Sequence, residues 1–426
     1  MNDSLSPLPS SHTSVLLGVS VALLVPVVLF EYAGFQVNLT LTLAPMAPLC
    51  VFLAPPRLRN LFLACTAAGL AAVGLAAVVF GTFQIRYVLS LLLMMTPPVY
   101  YFLGWYLSAR GVRWSVLVLM LAVVSAVFVS VVALQTIVTG TQVRAEAGVL
   151  NLTLLGWTIY GSYGVLSFTG LLVLDLFVIA AGFLAAPGRA RSWLMAIGFG
   201  ATVFLVTGSN ARGPQLALPY LAVVLGLIAW FRKPARARVG ILLLVGVLSA
   251  IGSAARMVGN LRIVDTAKQL SDRSLPATPD VPRQQIDLES LSTGRESLLE
   301  DSFADIKKSP IFGNGFGSFG RIDRRVGERS VLSGNRTTHI QYLTALWKGG
   351  VLFFVPYMAM IGAFWLRAIR AVGVPLRADV ALVGAGVVFL FTVLAFTWDI
   401  LLVPSAGALA FFLLGAASEP ERRTTA

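Results

Sequence analysis

Runs of about 20 apolar residues recur along most of this chain, and that repetition decides its solvent before any motif is read. Backbone polar groups in hydrocarbon must pair with one another, so each run of that length reads as a helix crossing a bilayer. Composition agrees. With 57% hydrophobic and 12% charged residues, a soluble globular chain is excluded. The expected fold class is an all-α polytopic integral membrane protein of about twelve transmembrane helices. Spans are expected at 15–31, 37–54, 60–81, 86–107, 114–138, 157–186, 191–208, 212–231, 239–258, 340–366, 378–397 and 400–417.

Loop charges orient these spans. Arg57 and Arg59, Arg110 and Arg113, Arg189 and Arg191, Arg232, Lys233, Arg236 and Arg238, then Arg367, Arg370 and Arg377 fall in every second loop. The intervening short loops hold only Arg86, Arg144 and Arg212. Positive loops stay cytoplasmic, so both termini are expected there, and the net charge of +13 reads as topology and contact with anionic lipid. It does not read as a nucleic-acid surface. The first 14 residues lack Lys and Arg and no small-residue cleavage site follows, so the first helix is expected to remain as an anchor. Cys50 and Cys65 fall near cytoplasmic span ends and are expected to be buried packing thiols.

One segment breaks the alternation. Three parts are therefore expected: helices 1–9 in residues 1–258, a large, partly helical outer loop in 259–338, and helices 10–12 with a cytoplasmic tail in 339–426. From Arg256 to Arg336 there are 13 Lys and Arg and 11 of the chain's 19 Asp and Glu, a balance that suits a folded surface. Within it Thr293-Gly-Arg-Glu296 has capping-box spacing and Pro310 with Gly313 gives a stop signal, predicting a helix between them. Leu298, Leu299, Ser302, Phe303 and Ile306 make its inward stripe, and Arg295 continues that stripe. An inward arginine asks for an anion; pairing with Glu296 or Glu300 is the plainer alternative.

Gly313-Asn-Gly-Phe-Gly-Ser-Phe-Gly320 follows. Gly313 and Gly315 permit close backbone approach to a ligand, as at a phosphate, or simply a turn that packs Phe316 and Phe319. No Lys-Ser/Thr ending marks a nucleotide loop. Arg212 opens the eighth span and His339, one of two histidines, opens the tenth. Both spans would turn their N-termini outward, where free N–H groups and partial positive charge suit an anion. Arg336 lies one turn before His339. The same dipole and arginines disfavour imidazolium, leaving His339 neutral and able to accept a proton. On a straight helix Gly350 falls about 20° from His339, leaving that face open to close packing. A hydrogen-bonded structural histidine is the plainer alternative. Asp399, before the last span, reaches the same face and can orient His339, pair with an arginine or form a turn. Asp175 is the clear ionisable residue at mid-membrane depth.

Arg212-x3-Leu216, His339-x10-Gly350, the Arg295 helix leading through Ser309-Pro-Ile-Phe-Gly313, and the large loop between the ninth and tenth spans together resemble the bacterial O-antigen ligase and polymerase superfamily. The spacings suit its ligase branch. That resemblance implies a metal-independent, cofactor-free inverting glycosyl transfer on the periplasmic face of the inner membrane. Its substrates would be O-antigen on undecaprenyl pyrophosphate and a sugar hydroxyl of lipid A-core. His339 would be the general base, and Arg212 and Arg295 would bind the pyrophosphate; Arg336, Asp399, Gly313 and Gly315 would be accessory. The chain is expected to work as a monomer among membrane lipids. An O-antigen polymerase or protein O-oligosaccharyltransferase shares the architecture. A polyprenyl-lipid transporter or flippase would use the same number of spans but normally places ionisable groups at the midplane.

Overall fold

In the computed structural model, residues 10–418 are described apart from 26–27, 33–34, 44, 82, 84, 140–152, 155–156, 159–163, 186–187, 210–211, 273–294, 317–339, 373–376, 398–400 and 402–403. Among the described residues seven helices are long and apolar enough to cross a membrane. Four shorter apolar helices, Thr13–Leu24, Thr169–Ala185, Ala378–Leu394 and Ser405–Ala416, accompany them. The chain is a multi-pass helical membrane protein.

In chain order the helices are α1 (Ser10–Leu24), α2 (Ala47–Leu53), α3 (Pro56–Phe80), α4 (Ile85–Ala109), α5 (Trp114–Thr139), α6 (Gly164–Ala185), α7 (Arg189–Gly208), α8 (Arg212–Gln215), α9 (Ala217–Phe231) and α10 (Arg236–Asp272). Then come α11 (Arg295–Lys308), α12 (Gln341–Val372), α13 (Ala378–Phe389), α14 (Ala395–Thr397) and α15 (Pro404–Ala416). A π-helical turn, Leu390–Leu394, joins α13 to α14. α10 runs without interruption past residue 258 to Asp272.

The described residues fit the all-α class, with two short hairpins beside the helices: β1 (Val28–Tyr32) pairs antiparallel with β2 (Phe35–Asn38), and β3 (Thr153–Leu154) with β4 (Trp157–Thr158). One expectation is corrected: segment 37–54 is not one span; it divides into β2, a 3-10 turn at Leu39–Leu43 and the seven-residue α2. Its composition explains the division. Thr42 Oγ1 donates to Leu39 O (2.6 Å) and Thr40 Oγ1 to Ala22 O (2.9 Å), so side chains compete for backbone partners, and Pro45 and Pro48 deny helical N–H groups. Tyr100 Oη donates to Thr40 O, tying the turn to α4.

The centre of the molecule is α6, whose residues from Leu171 to Phe183 are almost wholly buried between α5, α7, α13 and α15. α4 and α15 approach most closely because glycine faces backbone in both directions. A Cβ on Gly104 would lie 2.0 Å from Phe412 O, and one on Gly415 would lie 1.9 Å from Tyr101 O. Tyr101 stacks on Phe364 at 3.7 Å between ring centroids, joining α12 to that pair. α9 and α10 are peripheral, and Trp230, Phe231, Leu244, Leu248 and Ile251 are exposed there as lipid-facing helices require. Cys50 and Cys65 are buried free thiols, as expected.

Asp175 of α6 is fully buried and its Oδ1 accepts from Ser125 Oγ of α5 at 2.6 Å. An amide oxygen accepts that bond equally well. Asp175→Asn is therefore expected to keep thermal stability within about 1 kcal/mol of wild type. A melting curve in detergent checks this, and a collapse of the fold would show that the carboxylate itself holds α5 to α6.

Candidate active site

The site is assembled around a break in α12. Gly350 has φ 59° and ψ −168°, outside the helical region and in territory nearly reserved for glycine. In an unbroken helix the N–H groups of Val351 and Leu352 would bond the carbonyls of Trp347 and Lys348. They turn instead to Pro310 O and Ile311 O, both at 2.9 Å. The two vacated carbonyls accept from Asn314 N and Phe316 N, both at 3.0 Å. The strap 310–316 thus replaces two helical hydrogen bonds with four, so the two N–H groups and the two carbonyls of those bonds all stay paired.

Glycine makes this insertion possible on both sides. A Cβ on Gly350 would lie 2.3 Å from Ile311 O, and one on Gly313 (φ 60°) 2.6 Å from Trp347 O. Phe316, also at positive φ, is buried with its ring edge-on to Phe353 at 5.0 Å. Gly313 N is engaged by Ser309 O. The N–H groups of the described part of the cluster, Gly313 to Phe316, are thus spent on the protein, and Gly313 and Gly315 pack closely against α12 and α3. Phe319 lies outside the described residues.

The break folds α12 back on itself. Gln341 Nε2 lies 3.5 Å from Tyr357 Oη, whereas sixteen residues of straight helix span about 24 Å, beyond the combined reach of the two side chains. Residues 341–349 are therefore an arm folded beside residues 351–372, and the tenth span is not a straight helix over 340–366. The expected alignment of His339 with Gly350 assumed a straight helix through residue 350; His339 itself lies outside the described residues.

The arm buries a polar face. Gln341, Thr344 and Lys348 recur at helical spacing and are all buried, with Lys348 Nζ 3.0 Å from Ser90 Oγ of α4. Beside that face Tyr342 points to the π turn: its hydroxyl donates to Phe391 O at 2.5 Å, and its ring lies 5.0 Å from Phe396. The π turn packs in addition against α8. At the other end of the arm, Trp347 Nε1 donates to Asp305 Oδ2 of α11 at 3.4 Å, and Lys308 pairs with the same carboxylate at 3.3 Å.

Arg212 is the first residue of α8 and Arg295 the first of α11; their side chains are not among the described atoms. His339, Arg336 and Asp399 lie outside the described residues. Their sequence neighbours do meet: Tyr342 and Phe396, each three positions from His339 and Asp399 respectively, are the ring pair above. α11 ends before Pro310, where its stop signal placed it, while the capping residues Thr293 and Gly294 lie outside the described residues; its face differs from the expected stripe. Ser302 is buried and Leu299 and Ile306 half-buried, while Phe303 is 52% exposed. Tyr342 and the break at Gly350 were the features a straight-helix reading missed. The Gly349-Gly350 pair inside an apolar run was the available signal.

A folded-back arm, a glycine strap and a π turn on a helical membrane scaffold define a polytopic protein with a built site on the side of its large loop. Residues 197–358, running from α7 into the second part of α12, match the family model described as O-Antigen ligase. That match supports a place for the chain in the O-antigen ligase/polymerase superfamily. No curated protein sequence matches it.

Proposed function

We propose that this protein is an O-antigen ligase of the bacterial inner membrane, transferring O-antigen polysaccharide from undecaprenyl pyrophosphate to a sugar hydroxyl of lipid A-core at the periplasmic face. One observation carries the reading most. The π turn at Leu390–Leu394 touches both α8, which opens on Arg212, and the arm that begins two residues after His339. The elements that adjoin a proposed cation and a proposed base, more than a hundred residues apart in the chain, thereby meet at one turn, and both residues fall in the segment that matches the family.

The chemistry asks for that pairing. His339 takes the proton of the acceptor hydroxyl as its oxygen attacks the anomeric carbon. The bond from that carbon to the pyrophosphate oxygen breaks, its electron pair leaves with the pyrophosphate, and the anomeric configuration inverts. Arg212 and Arg295 meet the growing negative charge with charge-assisted hydrogen bonds. Arg336 adds positive charge on the same approach, and Asp399 orients the imidazole. The lipid tails of both substrates enter from the bilayer, and no metal or cofactor takes part.

Purified protein supplied with undecaprenyl-pyrophosphate-linked O-antigen and lipid A-core is expected to yield O-antigen attached to lipid A-core, equally well after chelation of divalent cations. Growth of the glycan on its lipid carrier would instead make the protein a polymerase, and glycan on a protein acceptor an oligosaccharyltransferase. Energised movement of the lipid across proteoliposomes without any new glycosidic bond would make it a flippase.

A further inference from the structure

We infer that Tyr342 is a positioning residue for transfer, tying the arm that follows His339 to the π turn that packs against α8, the helix that opens on Arg212; this rests on the ligase reading above. The reason lies in the π turn. Ala395 N–H bonds Leu390 O, five residues back, and not Phe391 O, which an α-helix would have used. Phe391 O is thus released from its α-helical donor and accepts the hydroxyl of Tyr342. The widened turn makes room for a tertiary bond to the arm and, on the same segment, packs against α8. Thr392 Oγ1, returned to Val388 O at 2.7 Å, helps to bend the helix there.

Geometry separates this tie from ordinary packing. The ring of Tyr342 already rests against Phe396, so burial alone is satisfied by phenylalanine. The hydroxyl adds direction, fixing the first turn of the arm against one carbonyl. The opposite end of the arm is held by the strap and by Lys348 on Ser90, and Gln341 of the first turn lies against Tyr357; Tyr342 fixes the side of that turn that faces the π turn. Small displacements of a reacting group are costly in rate, up to about a hundredfold per ångström.

The test is Tyr342→Phe in full-length protein carrying Cys50→Ala and Cys65→Ala, with spin labels at Val223 of α9 and Leu346 of the arm. The expected result is a broadened distance distribution, kcat for transfer lowered about tenfold, and KM for the lipid-linked donor and the melting temperature within twofold and two degrees or so of the parent. A narrow distribution with kcat unchanged overturns the inference. So does a lowered kcat with the distance unchanged, since the hydroxyl would then act in the chemistry and not through position. If the parent protein forms no glycosidic bond, the ligase reading fails by itself. The distance measurement then still decides whether Tyr342 fixes the arm: an unbroadened distribution overturns that too.

Discussion

His339→Ala is expected to lower glycan transfer by about two to four orders of magnitude while the protein folds and binds its lipid-linked donor as before. The residue stands two positions before a helical arm that the protein goes to some length to hold: a strap and a buried lysine at one end, a tyrosine hydroxyl at the other. Removing a general base leaves the leaving-group site intact, so the loss belongs to kcat with little change in donor affinity. Arg212→Ala should behave differently, weakening the interaction with the pyrophosphate in both ground and transition states and raising KM as well. Single-turnover transfer and donor binding, measured on the same preparations, separate the two. Transfer by His339→Ala at the wild-type rate would remove this histidine from the mechanism and leave the arm as a purely structural device.

What could be read in advance divides along a physical line. Seven long spans were legible because length and hydropathy are one-dimensional quantities; the helix ending at Lys308 was legible because a capping box and a proline are local signals. The hairpin of β1 with β2 was not, because Val28–Tyr32 is apolar enough to pass for the end of a span. Gly350 was visible as a residue but read as a small contact on a continuous helix. Its actual role depends on Pro310–Phe316, forty residues earlier, supplying the donors and acceptors that make a break tolerable. Tyr342 escapes a sequence reading for the same cause: on a straight helix it points away from the His339 face, and only the π turn of a distant helix gives its hydroxyl a partner. Buried Ser125 shows the converse, a partner for Asp175 that membrane burial demands but spacing cannot identify.

Gly350→Ala is the second large effect expected, and its origin is steric and conformational together. An added Cβ would lie 2.3 Å from Ile311 O and 2.5 Å from Gly313 N, both backbone atoms with no side-chain freedom to yield. A residue other than glycine at φ 59° and ψ −168° costs about 1–3 kcal/mol besides. Relief comes only by withdrawing the strap, which abandons four backbone hydrogen bonds and leaves the groups around the break to be satisfied elsewhere, at about 1–3 kcal/mol for each that stays buried and unpaired. Against a typical stability of about 5–15 kcal/mol, that is a large share. The variant is expected to melt well below wild type in detergent, and the folded fraction to transfer little glycan, because α11 and the arm lose their common anchor. Gly313→Ala should reproduce the defect from the other side of the junction, since its Cβ would lie 2.6 Å from Gly350 N. Gly362→Ala, later in the same helix with nothing within 4 Å, should be neutral or slightly stabilising, by about 0.5–1 kcal/mol. A Gly350→Ala protein that melts and transfers like wild type would mean that the strap is not seated in the break, and that the arm owes its direction to Tyr342 and Lys348 alone.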